Sequence, residues 1–334
     1  MKAIALISGG LDSTLAAKII QGQGIEVMPL NFKIPFSGVD KKKYSLKQSK
    51  IKQIADNLGV ELKTIDISGE FLDLIKSPRY GFGSNMNPCI DCKIFMLTRA
   101  KELLAPEGAN FVITGEVLGQ RPMSQNRQAL ELIEKRAGLV GLLLRPLSAR
   151  LLAETIPENK GWVQRNNLLS FSGRSRRPQM ELAEKLDIKN YPNPAGGCLL
   201  TDPEFSKRLK ELIAHQELNL ENIELLKTGR HFRIAPEAKL VVGRDEEENG
   251  KLSGLAREND YLFMPTEEVA GPTSLGRGVF DEDSLKLCCS IIGRYCDLND
   301  RAGTEIIYRK IPGGKDSVLK VNPIEEGQLI SLRI

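Results

Sequence analysis

The first twenty residues constrain this chain more than any other stretch. Ala3-Ile4-Ala5-Leu6-Ile7 is a short unbroken apolar run, Ser8-Gly9-Gly10 interrupts it, and Leu15-Ala16-Ala17-Lys18-Ile19-Ile20 follows with helical spacing. An apolar run without alternation reads as a strand buried on both faces, as in a parallel sheet covered by helices. Strand and helix go on alternating. Strands are expected at Glu26–Asn31, Glu61–Ile67 and Phe111–Thr114, with helices at Ser45–Leu58 and Ile94–Leu104. The predicted fold class is therefore α/β, a parallel sheet with helices on both faces. Near Pro203 the pattern changes. A helix over Pro203–Gln216 leads into short segments at Gly229–Ile234, Lys239–Gly243, Tyr261–Met264, Ile306–Lys310 and Leu329–Ile334, interrupted by a helix over Asp281–Leu298. This predicts a smaller α+β C-terminal domain, and the division is set at residues 1–205 and 206–334.

In open parallel sheets ligands bind beyond the carboxyl ends of the strands. Ser8–Ser13, Asn31–Phe32 and Thr114–Gln120 all fall at that edge. Ser8-Gly9-Gly10-Leu11-Asp12-Ser13 suits a phosphate. Its glycines let backbone N–H groups approach closely, the following helix presents a positive N-terminus, and Ser8 and Ser13 add hydroxyls. Asp12 has the wrong charge to hold an anion, so it is expected to reach a magnesium ion or to cap the helix. A plain strand–helix turn with Ser or Asp capping is the alternative reading. Neither GxxxxGK[ST] nor GxGxxG occurs at this position, so a kinase, motor ATPase or dehydrogenase is not expected.

The 334 residues are 41% hydrophobic and 27% charged, an ordinary globular balance. No apolar run approaches the roughly 20 residues that span a bilayer, and the N-terminal apolar stretch is too short for a signal peptide. A cytoplasmic protein with no membrane partner is expected, and a homodimer is compatible with the sequence. Net charge is only +4, from 47 basic and 43 acidic residues. Its distribution is uneven: residues 117–180 hold eleven Lys/Arg and four acids. A locally basic surface suits a polyanion, although solvated helix faces explain the charge equally well.

Six cysteines in a cytoplasmic chain are not expected to form a disulfide framework. Cys89 and Cys92 form a CxxC ahead of a helix, where they can ligate a metal or cluster or exchange a disulfide, and a helix N-terminus favours the thiolate. Cys198 follows two glycines in a loop expected at the same sheet edge. A structural zinc site takes four protein ligands. Three thiolates leave an open site, which fits a [4Fe–4S] cluster with one iron free. Cys288, Cys289 and Cys296 lie at helical spacing among Leu and Ile and read as core.

SGGxDS after an N-terminal strand resembles the pyrophosphate loop of the N-type ATP pyrophosphatases, which cleave ATP between the α- and β-phosphates and adenylate a carbonyl oxygen. Thr114-Gly115-Glu116-Val117-Leu118-Gly119-Gln120 and Cys89–Cys92-Lys93 resemble the tRNA 4-thiouridine synthases. CxxC plus Cys198 resembles the iron–sulfur-dependent tRNA thiolases. The resemblance spans roughly residues 1–205. It implies an ATP-dependent tRNA uridine sulfurtransferase, with ATP on Ser8, Gly9, Gly10, Leu11, Asp12 and Ser13, and Mg²⁺ on the phosphates. Asn31 and Phe32 are expected near the adenine, and Gly115 to Gln120 close the site. Cys89, Cys92 and Cys198 are expected to hold the cluster, with Asp12 as a further catalytic residue. Sulfur would come from free sulfide or a cysteine desulfurase. The expected product is 4-thiouridine. The alternatives are 2-thiouridine, an ATP pyrophosphatase acting on a small molecule, and a non-catalytic RNA-binding protein. Members of the 4-thiouridine synthase family carry RNA-binding domains ahead of the catalytic one, whereas the loop here starts at residue 8. The second half is the expected replacement: Thr228–Ile234, Lys239–Asp245 and Asn249 resemble an NFACT-type RNA-binding domain. Arg174, Arg176, Arg177, Arg230 and Arg233 are the expected tRNA contacts.

Overall fold

The computed structural model describes residues 1–36, 51–52, 54, 56, 59–188, 191, 198–297 and 303–334. The helix expected over Ser45–Leu58 and the loop Pro194–Gly197 fall largely outside them. The chain divides into Met1–Asp202 and Pro203–Ile334. The boundary lies three residues before the expected one, because Pro203 already opens a helix, Pro203–Ala214, whose Phe205 and Leu209 are buried.

In the first unit, β1 (Lys2–Leu6), β2 (Glu26–Lys33), β3 (Lys63–Asp66), β4 (Phe111–Ile113) and β5 (Leu143–Leu144) form one sheet in the order β3-β2-β1-β4-β5. Every pair is parallel. Alternate residues of β1 enter different cores. Ala3 and Ala5 meet Ala17 and Ile20 of the helix Leu11–Gln21 on one face. Ile4 meets Leu97 and Ala100 of the helix Cys89–Glu102, and Ile133 of the helix Arg127–Arg136, on the other. Burial on both faces is why the run reads as unbroken apolar sequence. β5 has only two residues and left no readable signal.

The second unit holds a six-stranded sheet, β11-β10-β8-β9-β7-β6. Its strands are β6 (Arg230–Ala235), β7 (Ala238–Val242), β8 (Tyr261–Pro265), β9 (Ser274–Gly278), β10 (Thr304–Lys310) and β11 (Ser317–Val321), and all its pairs are antiparallel. The helix Glu282–Gly293 covers one face, with Cys288 and Cys289 fully buried beside Phe232, Phe263 and Ile306. Cys296 packs at the margin of that core. These three cysteines therefore have the core role read from their spacing. The segment Leu329–Ile334, expected as a strand, corrects to the helix Glu326–Leu332. Leu329 and Leu332, three apart, both face the same core. β9 escaped the sequence reading because it is Ser-Leu-Gly-Arg-Gly. A Cβ on Gly276 would lie 3.0 Å from the rings of Phe263 and Phe280, so packing there requires the residue that lowers strand propensity. Among the described residues, no helix is long and apolar enough to cross a membrane.

Candidate functional site

The phosphate loop begins where β1 ends. Gly9 has φ +80°, a left-handed conformation that glycine adopts without strain. The helix Leu11–Gln21 starts at Gly10 with no side-chain cap. The hydroxyls of Ser13 and Thr14 donate backwards to Gly10 O at 2.8 and 3.1 Å, and Ser8 and Ser13 hydroxyls stand 3.4 Å apart. An ordinary capped turn would close this N-terminus with a side-chain oxygen; here the first turn is left for an outside anion.

The end of β4 forms the other wall. A Cβ on Gly115 would lie 2.4 Å from both Asp12 C and Ser13 N, so only a bare backbone fits against the loop. Gln120 Nε2 donates to Asp12 Oδ2 at 3.0 Å, while Asp12 Oδ1 is buried without a partner. An unpartnered carboxylate oxygen beside a phosphate cradle fits a cation such as Mg²⁺. Asn31 Nδ2 donates to Ile7 O at 2.7 Å, bracing the end of β1, while its Oδ1 is buried without a partner, and Phe32 packs into the sheet core.

Cys89 opens the helix Cys89–Glu102 and Cys92 lies one turn on. Asp91 between them accepts from Arg79 N and Tyr80 N, both at 3.0 Å, pinning the preceding loop to this turn. The same loop reaches the third cysteine. Met86 N donates to Leu200 O at 3.0 Å, and Asn85 Nδ2 donates to Thr201 O at 2.8 Å. Burial pushes the Cys92 thiol well above its ordinary value, the neighbouring Cys198 and Cys89 push it further, and Lys93 pulls it back. The helix N-terminus was expected to favour the thiolate here; desolvation outweighs it. Cys92 thus lies within electrostatic reach of both Cys198 and Cys89. Among the described residues, no three His, Cys, Asp or Glu stand close enough to hold a single metal ion. Thiolates are the donors that hold an iron–sulfur cluster, and these three cysteines are the candidate set.

A buried charge network joins the two halves of the site. Glu116 pairs with Lys93, next to Cys92, and accepts from Arg145 Nε at 2.9 Å. Arg145 also pairs with Glu134 at 2.8 Å. The Lys93 and Arg145 charges overcome burial and hold the Glu116 carboxyl down at about 2. Arg145, counted in the basic segment, is therefore buried structure.

The profile of the thiamine biosynthesis protein (ThiI) family matches residues 1–151, and that of the NFACT protein RNA binding domain matches residues 229–332. The tRNA-specific 2-thiouridylase MnmA of Petrotoga mobilis is 33% identical over 296 residues, 80% of this chain and 76% of its own. The chain belongs to the PP-loop tRNA thiouridine synthases. It spans 62% of the length of the 2-thiouridylase of Proteus mirabilis, at 24% identity, and about a third of some other curated relatives. A 4-thiouridine synthetase solved with RNA and ATP overlaps 68% of this chain and 53% of its own, at 19% identity and a TM-score of 0.39. The U34-tRNA thiolase NcsA of Methanococcus maripaludis, solved with its [4Fe-4S] cluster, overlaps 68% and 71%, at 16% identity and a TM-score of 0.35.

The expected RNA contacts separate by environment. Arg174 is exposed with no acidic partner among the described residues. Its loop is tied to the phosphate-loop edge, because Gly173 N donates to Leu118 O at 2.7 Å. Arg176 is half-buried, and its Nε has no partner. Arg177 pairs with Glu181 at 2.7 Å. In the second unit, Arg230 donates to Gly243 O and stacks 4.6 Å above Tyr295. Arg233 is held in ion pairs by Glu211 and by Glu217 at 2.8 Å. Sequence reasoning quoted Lys93 and Glu116 within the site motifs but missed their ion pair, and it missed Asn85 and Arg145 as part of the frame of the site.

Proposed function

We propose that this chain is an ATP-dependent tRNA uridine sulfurtransferase, with 4-thiouridine as its product. The reading rests on one observation above all: an uncapped phosphate cradle shares a sheet edge with Cys92, whose thiol lies within electrostatic reach of Cys89 and of Cys198, and the Lys93–Glu116 pair joins the two. ATP would lie with its phosphates on Ser8–Ser13, and Asp12 would hold a Mg²⁺ ion, which would neutralise phosphate charge. The uridine carbonyl oxygen attacks the α-phosphorus and pyrophosphate leaves; a sulfur nucleophile then adds to the activated carbon and AMP leaves. The backbone N–H groups at Gly10 and the helix N-terminus offset the charge that develops on the phosphates. Cys89, Cys92 and Cys198 would hold a [4Fe–4S] cluster, which supplies an iron with no protein ligand. Sulfide or a cysteine desulfurase would be the sulfur source.

A second reading, 2-thiouridine, is favoured by the 33% identity to a 2-thiouridylase. Mass spectrometry of tRNA nucleosides from a deletion strain tests both: loss of 4-thiouridine supports the first, loss of 2-thiouridine the second, and loss of neither refutes both. For the cluster, anaerobically purified protein should contain about four irons per chain and lose them in Cys198→Ala. Iron-free protein that still thiolates tRNA would exclude that ligand set.

A further inference from the structure

Between the thiols and the phosphate-loop edge runs the segment Arg79-Tyr80-Gly81-Phe82-Gly83, which neither the cradle nor the thiol set uses. Its aromatics interleave with glycine and a cation, and three separate anchors hold it. Asp91, between the two CxxC thiols, accepts Arg79 N and Tyr80 N. Gly83 N donates to Asn87 O at 2.9 Å, and Gly83 lies so close over Met123 that a Cβ would meet its sulfur at 2.4 Å. Met123 follows the Gly119–Gln120 turn that holds Asp12. Asn85 and Met86 then reach Thr201 and Leu200, just past Cys198.

Within this frame Phe82 remains 41% exposed. Phe82 is the one Phe or Trp among the exposed large apolar side chains of the described residues, and it shares its loop with Tyr80 and Arg79, so the exposed surface here is an aromatic–cation cluster rather than a scattered apolar residue. The Arg79 guanidinium is exposed, has no acidic partner among the described residues, and stands 5.9 Å from the centre of the Tyr80 ring. Unpaired bases are held by stacking on aromatic rings, and an adjacent cation holds the phosphate on either side.

We infer that Arg79–Gly83 is the platform for the target nucleotide, with Phe82 stacking on the extruded base and Arg79 contacting its phosphate. The inference rests on the thiolation reading and adds the subsite that would present the uridine to both chemistries. Its test is steady-state AMP formation by the full chain with unmodified tRNA. Phe82→Ala should raise KM for tRNA about ten- to a hundredfold, the range expected for one stacked base, and leave KM for ATP within about twofold. Phe82→Tyr should restore the KM for tRNA. A KM for tRNA unchanged in Phe82→Ala, or no recovery in Phe82→Tyr, overturns the platform. In the unsubstituted protein, AMP formation indifferent to tRNA overturns the thiolation reading itself, so the two failures are distinct. A Phe82→Trp variant gives a direct reading, since the natural Trp162 is already stacked on Phe111. Its added fluorescence should be quenched by tRNA and not by an RNA duplex of equal length; equal quenching by both, or by neither, overturns the assignment.

Discussion

Glu116 shows how one side chain can serve the frame of a site. Its carboxyl is buried between Lys93 and Arg145, and the two cations hold it at about 2, against 4.5 for an ordinary glutamate. A depressed folded value means stabilisation that is present above pH 4.5 and is lost as pH falls toward 2. The shift corresponds to roughly 3 kcal/mol. Glu116→Gln leaves two buried cations under-compensated and should cost about 3–5 kcal/mol at pH 7 by denaturant unfolding. It should also flatten the acid limb: stability lost between pH 5 and 2.5 should be smaller in the variant than in the parent. An identical acid limb would show that Glu116 is not the group responsible. Gly115 is the matching case for shape. Gly115→Ala forces a methyl into the backbone of Asp12 and Ser13, and should raise KM for ATP at least about tenfold through displaced phosphate contacts. A variant with unchanged KM would mean that the loop can yield at little cost.

At the scale of elements, Asn85 links the cysteine helix to the third cysteine. It holds φ +56°, a left-handed conformation that asparagine tolerates better than most residues. Asn85→Ala removes the hydrogen bond to Thr201 O and places a β-carbon residue in the same strained backbone. Faster alkylation of Cys198 than in the parent, with Cys89 unaffected, is the expected result; equal rates would separate Asn85 from Cys198. The same scale shows where sequence reading succeeds. β1 and its helix were legible because both faces of the strand are apolar and the break at Ser8–Gly10 is abrupt. CxxC was legible because its partners lie within one turn. β5 was too short to carry a pattern, and β9 was hidden by Gly276 and Gly278. The final helix was misread because Leu329 to Ile334 is apolar enough for either period. The hydrogen bond of Asn31 to Ile7 O was not legible, because position at a strand end does not reveal that an amide bonds the neighbouring strand.

For the molecule as a whole, net charge proved a poor guide and environment a better one. Arg145 and Arg233 count toward the basic total, yet both are held in ion pairs within their own units. Arg174→Glu should weaken tRNA binding and reduce its salt dependence with no change in Tm. Arg233→Ala should lower Tm by several degrees, since it strips Glu211 and Glu217 of a partner, and leave tRNA affinity of the folded protein intact. The opposite pattern would return Arg233 to the RNA surface. The bare backbone at Gly115 has a wider consequence. The nucleotide cradle is made of two stretches of chain about a hundred residues apart, and each is shaped by the other's lack of bulk. Transplanting Ser8–Ser13 into a foreign strand–helix junction would carry the amides and leave their opposite wall behind. The transferable part is the pair, residues 8–13 with 114–120, and a graft of either stretch alone should bind nucleotide no better than its host.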